Sequence, residues 1–106
     1  MTGPELTAEF SGEIWQWRGP APFYYVTVPE EPSAELHSIA AEVTYGWGMI
    51  PVLVRIGDTE WETSLFAKDG LYVVPLKAWV RAAEQIDDGD LVEVRLTVAP
   101  HRRGDR

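Results

Sequence analysis

Hydrophobic and polar residues alternate along several short segments of the chain, and this alternation predicts β-strands. The first segment runs from Leu6 to Trp17, with a shift of phase at Gly12 that indicates a bulge or bend within one long strand. The segment from Phe23 to Val28 is rich in aromatic and β-branched residues and is closed by Pro29. The first thirty residues therefore predict two consecutive strands.

Helical spacing of the apolar residues replaces the alternation after these two strands. Ser33 is the predicted N-cap, because its hydroxyl can accept a hydrogen bond from an unpaired N–H group of the first turn. The apolar positions that follow are Leu36, Ile39, Ala40 and Val43. They predict a helix over residues 33–44, which the Gly-Trp-Gly segment at 46–48 ends.

The rest of the chain predicts four more strands and one more helix. Strands at 50–56 and 60–66 form a hairpin across Gly57-Asp58, and an Asp-Gly turn at 69–70 leads into a strand at 71–74. The second helix is predicted from apolar residues at Leu76, Trp79, Val80, Ala83 and Ile86. In the last strand, the residues expected to face inward are Val92, Val94, Leu96 and Val98.

The two halves of the chain repeat one order of elements. In the first half, the strand ending at Pro29 is followed by a helix, a glycine turn and a strand that contains Val52 and Val54. In the second half, the strand ending at Pro75 is followed by a helix, a glycine turn and a strand that contains Val92 and Val94. Each half therefore reads β-β-α-β. The repetition predicts two copies of one unit about a pseudo-twofold axis, closed into one barrel because neither half could bury its sheet face alone.

Length and composition are those of a single globular domain. The chain has 106 residues, of which 45% are hydrophobic and 25% are charged. We expect one domain over residues 1–106, with an ordered barrel at about 5–99 and a disordered polar tail at 100–106. The chain contains no Cys, which excludes disulfides and thiolate metal sites.

The net charge of −8 disfavours binding to nucleic-acid phosphates and keeps a small protein dispersed, so a monomer or weak dimer is expected. The first residues show no basic segment followed by an apolar run, so no signal peptide is predicted. Apolar runs are far shorter than the roughly 20 residues needed to span a bilayer. A cytoplasmic protein without a membrane partner is therefore expected.

Several separate motifs occur in order along the chain: Gly46–Val52, Trp61–Phe66, Lys68–Gly70, Pro75–Lys77 with Val80-Arg81, and Gly89-Asp90. Together they resemble the motifs of the bacterial domain-of-unknown-function family DUF1905. The resemblance extends from about Phe10 to Val98. At the position where the family has a basic residue after Gly-Trp-Gly, this chain has Met49 and lacks that charge.

The resemblance implies a double-split β-barrel, the architecture of AbrB-like and antitoxin N-terminal domains, in which two chains supply what one duplicated chain would supply here. The expected fold is therefore mainly β with two helices: a double-split β-barrel made of two pseudo-symmetric β-β-α-β halves and capped by the helices. The resemblance implies no activity, because none is established for the family, and a fold shared with DNA-binding regulators is only an analogy for function.

Lys77 and Arg81 are the first candidate site residues. They lie four apart on one face of the second helix, where like charges repel, and Lys77 lies in the first turn, where the helix dipole disfavours a cation. One interpretation is an anion-binding site formed with the free N–H groups of the helix start. The other, more common arrangement is ion pairing with acids such as Glu30, Asp69 or Asp90.

Trp47, between two glycines in a connecting segment, is the third candidate. A loop tryptophan can form a ligand platform or an interface anchor, and it can also fold over the end of the barrel.

Trp15, Trp17 and Trp61 are expected in the core or on a sheet face. The acidic run Asp87-Asp88-Gly89-Asp90 lacks the spacing of a calcium loop and indicates a helix end and turn, with Gly89 at positive φ.

Catalytic and metal-binding patterns are weak. The two histidines, His37 and His101, do not form a metal-binding spacing, and Thr63 and Ser64 have no base evident in the sequence, so neither metal nor cofactor is expected. Residues expected to form cross-strand charge pairs are Arg55, Glu60, Glu62, Glu93 and Arg95.

The function expected is therefore that of a non-catalytic binding module for a small anionic ligand or a protein partner. Two alternatives stay open. One is a small-barrel enzyme with an acid–base site at a barrel end, and the other is an AbrB-like DNA-binding regulator, which the acidic charge disfavours.

Overall fold

The computed structural model describes residues 7–19, 23–43 and 49–98. Within these ranges the chain forms six strands and two helices. They are β1 (Thr7–Trp17), β2 (Phe23–Thr27), α1 (Glu30–Val43), β3 (Ile50–Ile56), β4 (Thr59–Lys68), β5 (Leu71–Leu76), α2 (Ala78–Glu84) and β6 (Leu91–Val98). The sequence predicted all eight elements, and the differences lie at their ends.

The six strands close into one antiparallel barrel in the order β1-β2-β5-β4-β3-β6. Two long strands, β1 and β4, each divide their pairing between two neighbours. β1 pairs with β6 up to Glu13 and with β2 from Ile14. β4 pairs with β3 up to Leu65 and with β5 from Phe66.

The barrel therefore consists of two sheets that share the long strands. Sheet A contains residues 7–13, 50–56, 59–65 and 91–98, and sheet B contains residues 14–17, 23–27, 66–68 and 71–76.

Gly12 marks the point at which β1 passes from sheet A to sheet B. A Cβ atom at this position would lie 2.6 Å from Cγ1 of Val26, which is shorter than a normal carbon–carbon contact. Only glycine lets β2 come this close to β1 at this position. The shift of hydrophobic phase predicted at Gly12 is not seen, because Ala8 and Ile14 on either side of it both face the core, and the ladders continue through Gly12 without an extra residue.

The core fills the inside of the barrel. In β6 the four predicted apolar residues are buried, while Glu93 and Arg95 face water. The same alternation in the other strands contributes further core side chains, which include Ile14, Val26, Ile50, Val54, Trp61, Leu65 and Val74. Leu36 of α1 and Val80 of α2 are fully buried and join this core.

Helix α1 begins at Glu30, three residues before the predicted start, so the prediction that Ser33 is the N-cap is wrong. Two acidic residues in the first turn, Glu30 and Glu31, suit the positive end of the helix dipole and support the earlier start. Ser33 is buried, and its hydroxyl donates to the carbonyl of Val28 (3.0 Å) and accepts from the N–H of Tyr72 (3.1 Å).

Helix α2 is shorter than predicted. It ends at the C-cap residue Gln85, which has left-handed backbone angles, so the acidic turn that contains Gly89 lies beyond the helix end. Trp79, expected on its apolar face, is 54% exposed, whereas Val80 is buried. In the part of the chain that the structure describes, neither helix is long and apolar enough to cross a membrane.

Candidate functional site

The outer faces of the two sheets differ in charge. The strand segments of sheet A carry five acids and two arginines: Glu9, Glu13, Glu60, Glu62, Glu93, Arg55 and Arg95. The segments of sheet B contain no Asp or Glu, and their one charged residue is Lys68. On a chain with a net charge of −8, an anion therefore meets less local repulsion at the face of sheet B than at the face of sheet A.

Both arginines of sheet A pair with glutamates across the strands. Nε of Arg95 donates to Oε2 of Glu9 at 2.8 Å, and the two residues are direct partners in the β1–β6 ladder. Nη1 of Arg55 lies 3.9 Å from Oε2 of Glu60, its partner in the β3–β4 ladder. These contacts confirm the predicted cross-strand pairing for Arg55, Glu60 and Arg95. Among the described residues, Glu93 instead accepts a hydrogen bond from the hydroxyl of Ser11, and Glu62 forms no ion pair.

Aromatic side chains cover the outer face of sheet B. Because Ile14 and Val26 point into the core, the residues next to them in β1 and β2 point outward. Two ladder pairs bring the rings together: Trp15 with Tyr25, whose centroids are 5.0 Å apart, and Trp17 with Phe23, 6.3 Å apart. The Nε1–H group of Trp15 also donates to Oγ1 of Thr27 at 2.9 Å, which fixes the orientation of that ring.

These rings line an open groove with a volume of about 230 Å³, which we call the aromatic groove. Its lining residues are Trp15, Trp17, Phe23, Tyr25, Phe66, Ala67, Lys68 and Val73. Val73 is buried beneath the groove, whereas Trp17 and Phe23 are 46% and 50% exposed. Pockets for drug-sized ligands measure roughly 300–1,000 Å³, so this groove has room for a single ring system.

Lys68 provides the charge of the groove. Its Nζ atom lies 5.9 Å from the ring centroid of Trp15 and 3.2 Å from Oδ2 of Asp69. Asp69 and Gly70 both have positive φ, of 55° and 83°, which is typical of the tight turn joining two hairpin strands. The β4–β5 turn thus places Lys68 beside Trp15.

The structure gives Lys77 and Arg81 different surroundings. The guanidinium of Arg81 lies 3.6 Å from the ring centroid of Tyr24, and its Nη1 atom lies 3.9 Å from Oδ1 of Asp87. Lys77 is exposed at the N-cap of α2, a helix of seven residues. Trp47, the third candidate, lies outside the described residues.

The remaining polar features have structural roles. In the acidic turn, the N–H of Asp87 donates to Oδ2 of Asp90, and Gly89 has the predicted positive φ. His37 packs against Tyr72 with ring centroids 5.9 Å apart, and burial raises the pKa of the Tyr72 hydroxyl. In the described ranges, no three His, Asp or Glu side chains are grouped closely enough to hold a metal ion.

The sequence analysis missed the aromatic groove as a site, although it assigned Trp15 and Trp17 to a core or sheet-face role. A usable signal was present, because aromatic residues occupy alternate positions at Trp15 and Trp17 and again at Phe23 and Tyr25, and the sequence contains no Asp or Glu between residues 14 and 29. The sequence pattern does not show that the end of β4 lies on the same sheet face, where it adds Phe66 and Lys68 to the groove.

The comparisons with known proteins identify the domain type but no activity. A family model described as Domain of unknown function (DUF1905) matches residues 10–96. That range begins within β1 and ends within β6, so it includes most of every strand of the barrel and both helices. No curated protein matches the chain.

Proposed function

The chain belongs to the DUF1905 family of domains of unknown function, and from this premise we propose that it is a non-catalytic binding module whose aromatic groove holds a small planar ligand. The observation that carries the proposal is the cluster of outward-facing rings on a sheet face without carboxylates. Exposed aromatic surface in water is unfavourable, and a bound ring that stacks on it removes part of that cost.

The geometry of the groove suits stacking. The ring planes of Trp17 and Phe23 are inclined by only 28°, and both rings are about half exposed, so each offers a face to a planar ligand. The hydrogen bond from Trp15 to Thr27 holds a third ring in place before any ligand arrives, which reduces the ordering cost of binding. The volume of about 230 Å³ accommodates one ring system, and substituents can extend from the open groove into solvent.

Other functions have less support. An acid–base enzyme would need titratable groups at its site, and the lining of the aromatic groove contains only Lys68 and Tyr25. An AbrB-like DNA-binding regulator would need free cations on one face, and two arginines of sheet A, Arg55 and Arg95, are paired with glutamates. The anion site at Lys77 and Arg81 stays a prediction, as does the separate ligand or interface role of Trp47, and we rank the anion site below the groove because Arg81 already contacts Tyr24 and Asp87.

We also propose that the two halves are copies of one β-β-α-β unit in a double-split barrel. Exchanging β1 with β4, β2 with β5 and β3 with β6 leaves the strand order around the barrel unchanged. The predicted match of Pro29 with Pro75 needs adjustment, because Pro29 directly precedes α1 whereas Pro75 lies inside β5. By position relative to the helix start, Pro29 corresponds to Lys77, the N-cap of α2.

Indole is a suitable neutral probe of the proposed site, and two tryptophans of similar exposure provide a matched pair of variants. Trp17 in the groove is 46% exposed and Trp79 on α2 is 54% exposed. We expect saturable binding of indole that Trp17→Ala weakens by about tenfold, the size expected for loss of one stacking partner. Trp79→Ala should leave the affinity unchanged, as measured by isothermal titration calorimetry.

The proposed function would be wrong if indole did not bind saturably, or if the two variants weakened binding equally. Both substitutions remove a half-exposed ring, so a difference between them reports the location of the ligand. Thermal unfolding of each variant controls for loss of the fold.

A further inference from the structure

We infer that the ligand of the aromatic groove carries a carboxylate, which binds to Nζ of Lys68. This inference rests on the proposed function and specifies the chemical class of the ligand: a planar aromatic acid with a single negative charge. The argument depends on three properties of the groove, namely its charge, the present partner of Lys68 and the position of the lysine relative to the rings.

The first property is the charge pattern. The strand segments of sheet B contain one lysine and no acid, although the chain carries 17 acidic residues against nine Lys and Arg. A carboxylate beside this face would lie next to a cation and away from the acids on the strands of sheet A. A ligand with one negative charge matches one lysine, whereas a phosphate dianion needs more donors than this lining offers.

The second property is that Lys68 can exchange its present partner at little cost. It forms an ion pair with Asp69, the next residue in the chain, at 3.2 Å, and both side chains are exposed. Exposed pairs of this kind contribute only about 0–1 kcal/mol. A carboxylate held by a stacked ring has little freedom left to lose, and can therefore replace Asp69.

The third property argues against a cationic ligand. Aromatic rings attract cations, and an amine could compete for the same rings. Nζ of Lys68, however, already lies 5.9 Å from the ring centroid of Trp15. A second cation beside Trp15 would be repelled by this ammonium group, whereas an anion would be attracted to it.

The experiment compares three probes that share one ring: indole, indole-3-acetate and tryptamine. We expect indole-3-acetate to bind the wild-type protein about two- to fivefold more tightly than indole, the range set by one exposed ion pair. Tryptamine should bind more weakly than indole. High salt should reduce these differences, because it screens exposed charges.

Three variants locate the effect. Lys68→Gln should remove the preference for indole-3-acetate over indole. Arg95→Gln removes the same charge from an exposed cross-strand pair on sheet A, and should keep the preference. Asp69→Asn should increase the preference, because it frees Lys68, and asparagine tolerates the positive φ of this turn position.

The possible results separate the two levels of the proposal. If the three probes bind equally, or if tryptamine binds best, the inference is wrong and the proposed function stands. If Arg95→Gln and Lys68→Gln reduce the preference equally, only net charge matters and the inference is again wrong. If none of the probes binds, the proposed function itself is wrong, and the inference fails with it.

Discussion

Ser33 shows at the scale of one residue how the fold uses a buried hydroxyl. The hydroxyl bridges the carbonyl of Val28, at the end of β2, and the N–H of Tyr72 in β5, and thereby ties α1 to both strands. Removing it leaves two buried backbone groups without their hydrogen-bond partner. We expect Ser33→Ala to lower the free energy of unfolding by about 1–3 kcal/mol in urea denaturation.

Ser38 on the same helix is the matched control for this prediction. It is exposed, and its hydroxyl donates only to the carbonyl of Glu35 within α1. Ser38→Ala should change the free energy of unfolding by less than about 0.5 kcal/mol. Equal losses in the two variants would show that the bridge made by Ser33 contributes nothing specific.

The residue scale also shows what the sequence could not predict. Serine at the start of a helical pattern favours an N-cap, and the local pattern contains no competing signal. The actual partner, Tyr72, lies 39 residues further along the chain and reaches Ser33 only when the barrel closes. In contrast, the positive φ of Gly89 was predictable, because the turn chemistry that requires it is local.

The last strand tests the packing of a whole element. Val94 is 2% exposed at the centre of β6 and packs inside the barrel, while Leu91 at the start of the same strand is 73% exposed. We expect Val94→Ala to lower the free energy of unfolding by about 1–3 kcal/mol, through lost burial and a cavity.

Leu91→Ala, the control within the same strand, should have almost no effect on stability, because its side chain is already largely in water. Urea denaturation of both variants is the measurement. An unchanged midpoint for Val94→Ala would contradict the inward orientation of the alternate valines in β6.

Elements were predicted well because their signals are periodic, and their ends were predicted less well because tertiary contacts decide them. β5 continues through Pro75, although the sequence predicted that the strand ends before it. The last pair between β4 and β5 is Phe66 with Val73, so Pro75 lies beyond this ladder, and its missing N–H group is tolerated there. Trp79 fits the apolar spacing of α2 and still faces water, because a seven-residue helix buries only Val80.

At the scale of the whole molecule, the barrel separates charge from aromatic surface. Acids and aromatics are mixed along β1, with Glu9 and Glu13 in its first half and two tryptophans in its second. The change of partner after Glu13 assigns the first half to sheet A and the second to sheet B. The local pattern shows an aromatic stretch without acids but not which strands lie beside it, which explains why the sequence analysis assigned a site to the helix cations instead.

The proposed duplication predicts a tolerated circular permutation. Thr7 and Thr97 are partners in the β1–β6 ladder, so the barrel's first and last strands can be joined by a short glycine-rich linker. The new N- and C-termini would be placed at Gly57-Asp58, in the turn between the two halves. We expect this permutant to keep the wild-type circular dichroism spectrum and to unfold cooperatively, because each β-β-α-β unit stays intact.

A permutant opened inside the second unit, at Asp69-Gly70, is the control and should be less stable, because the break separates β4 from β5 of one unit. Stability that is equal or higher for the control would contradict the division of the barrel into these two units.

The central claim, that the aromatic groove is the binding site, is tested most directly by the indole N–H signals of the five tryptophans in ¹⁵N NMR spectra. Titration with indole-3-acetate should shift the signals of Trp15 and Trp17 saturably, because both rings line the groove. The signals of Trp61, buried in the core, and Trp79, on α2, should stay in place. Shifts at Trp79 or Trp47 with none at Trp15 and Trp17 would contradict the account.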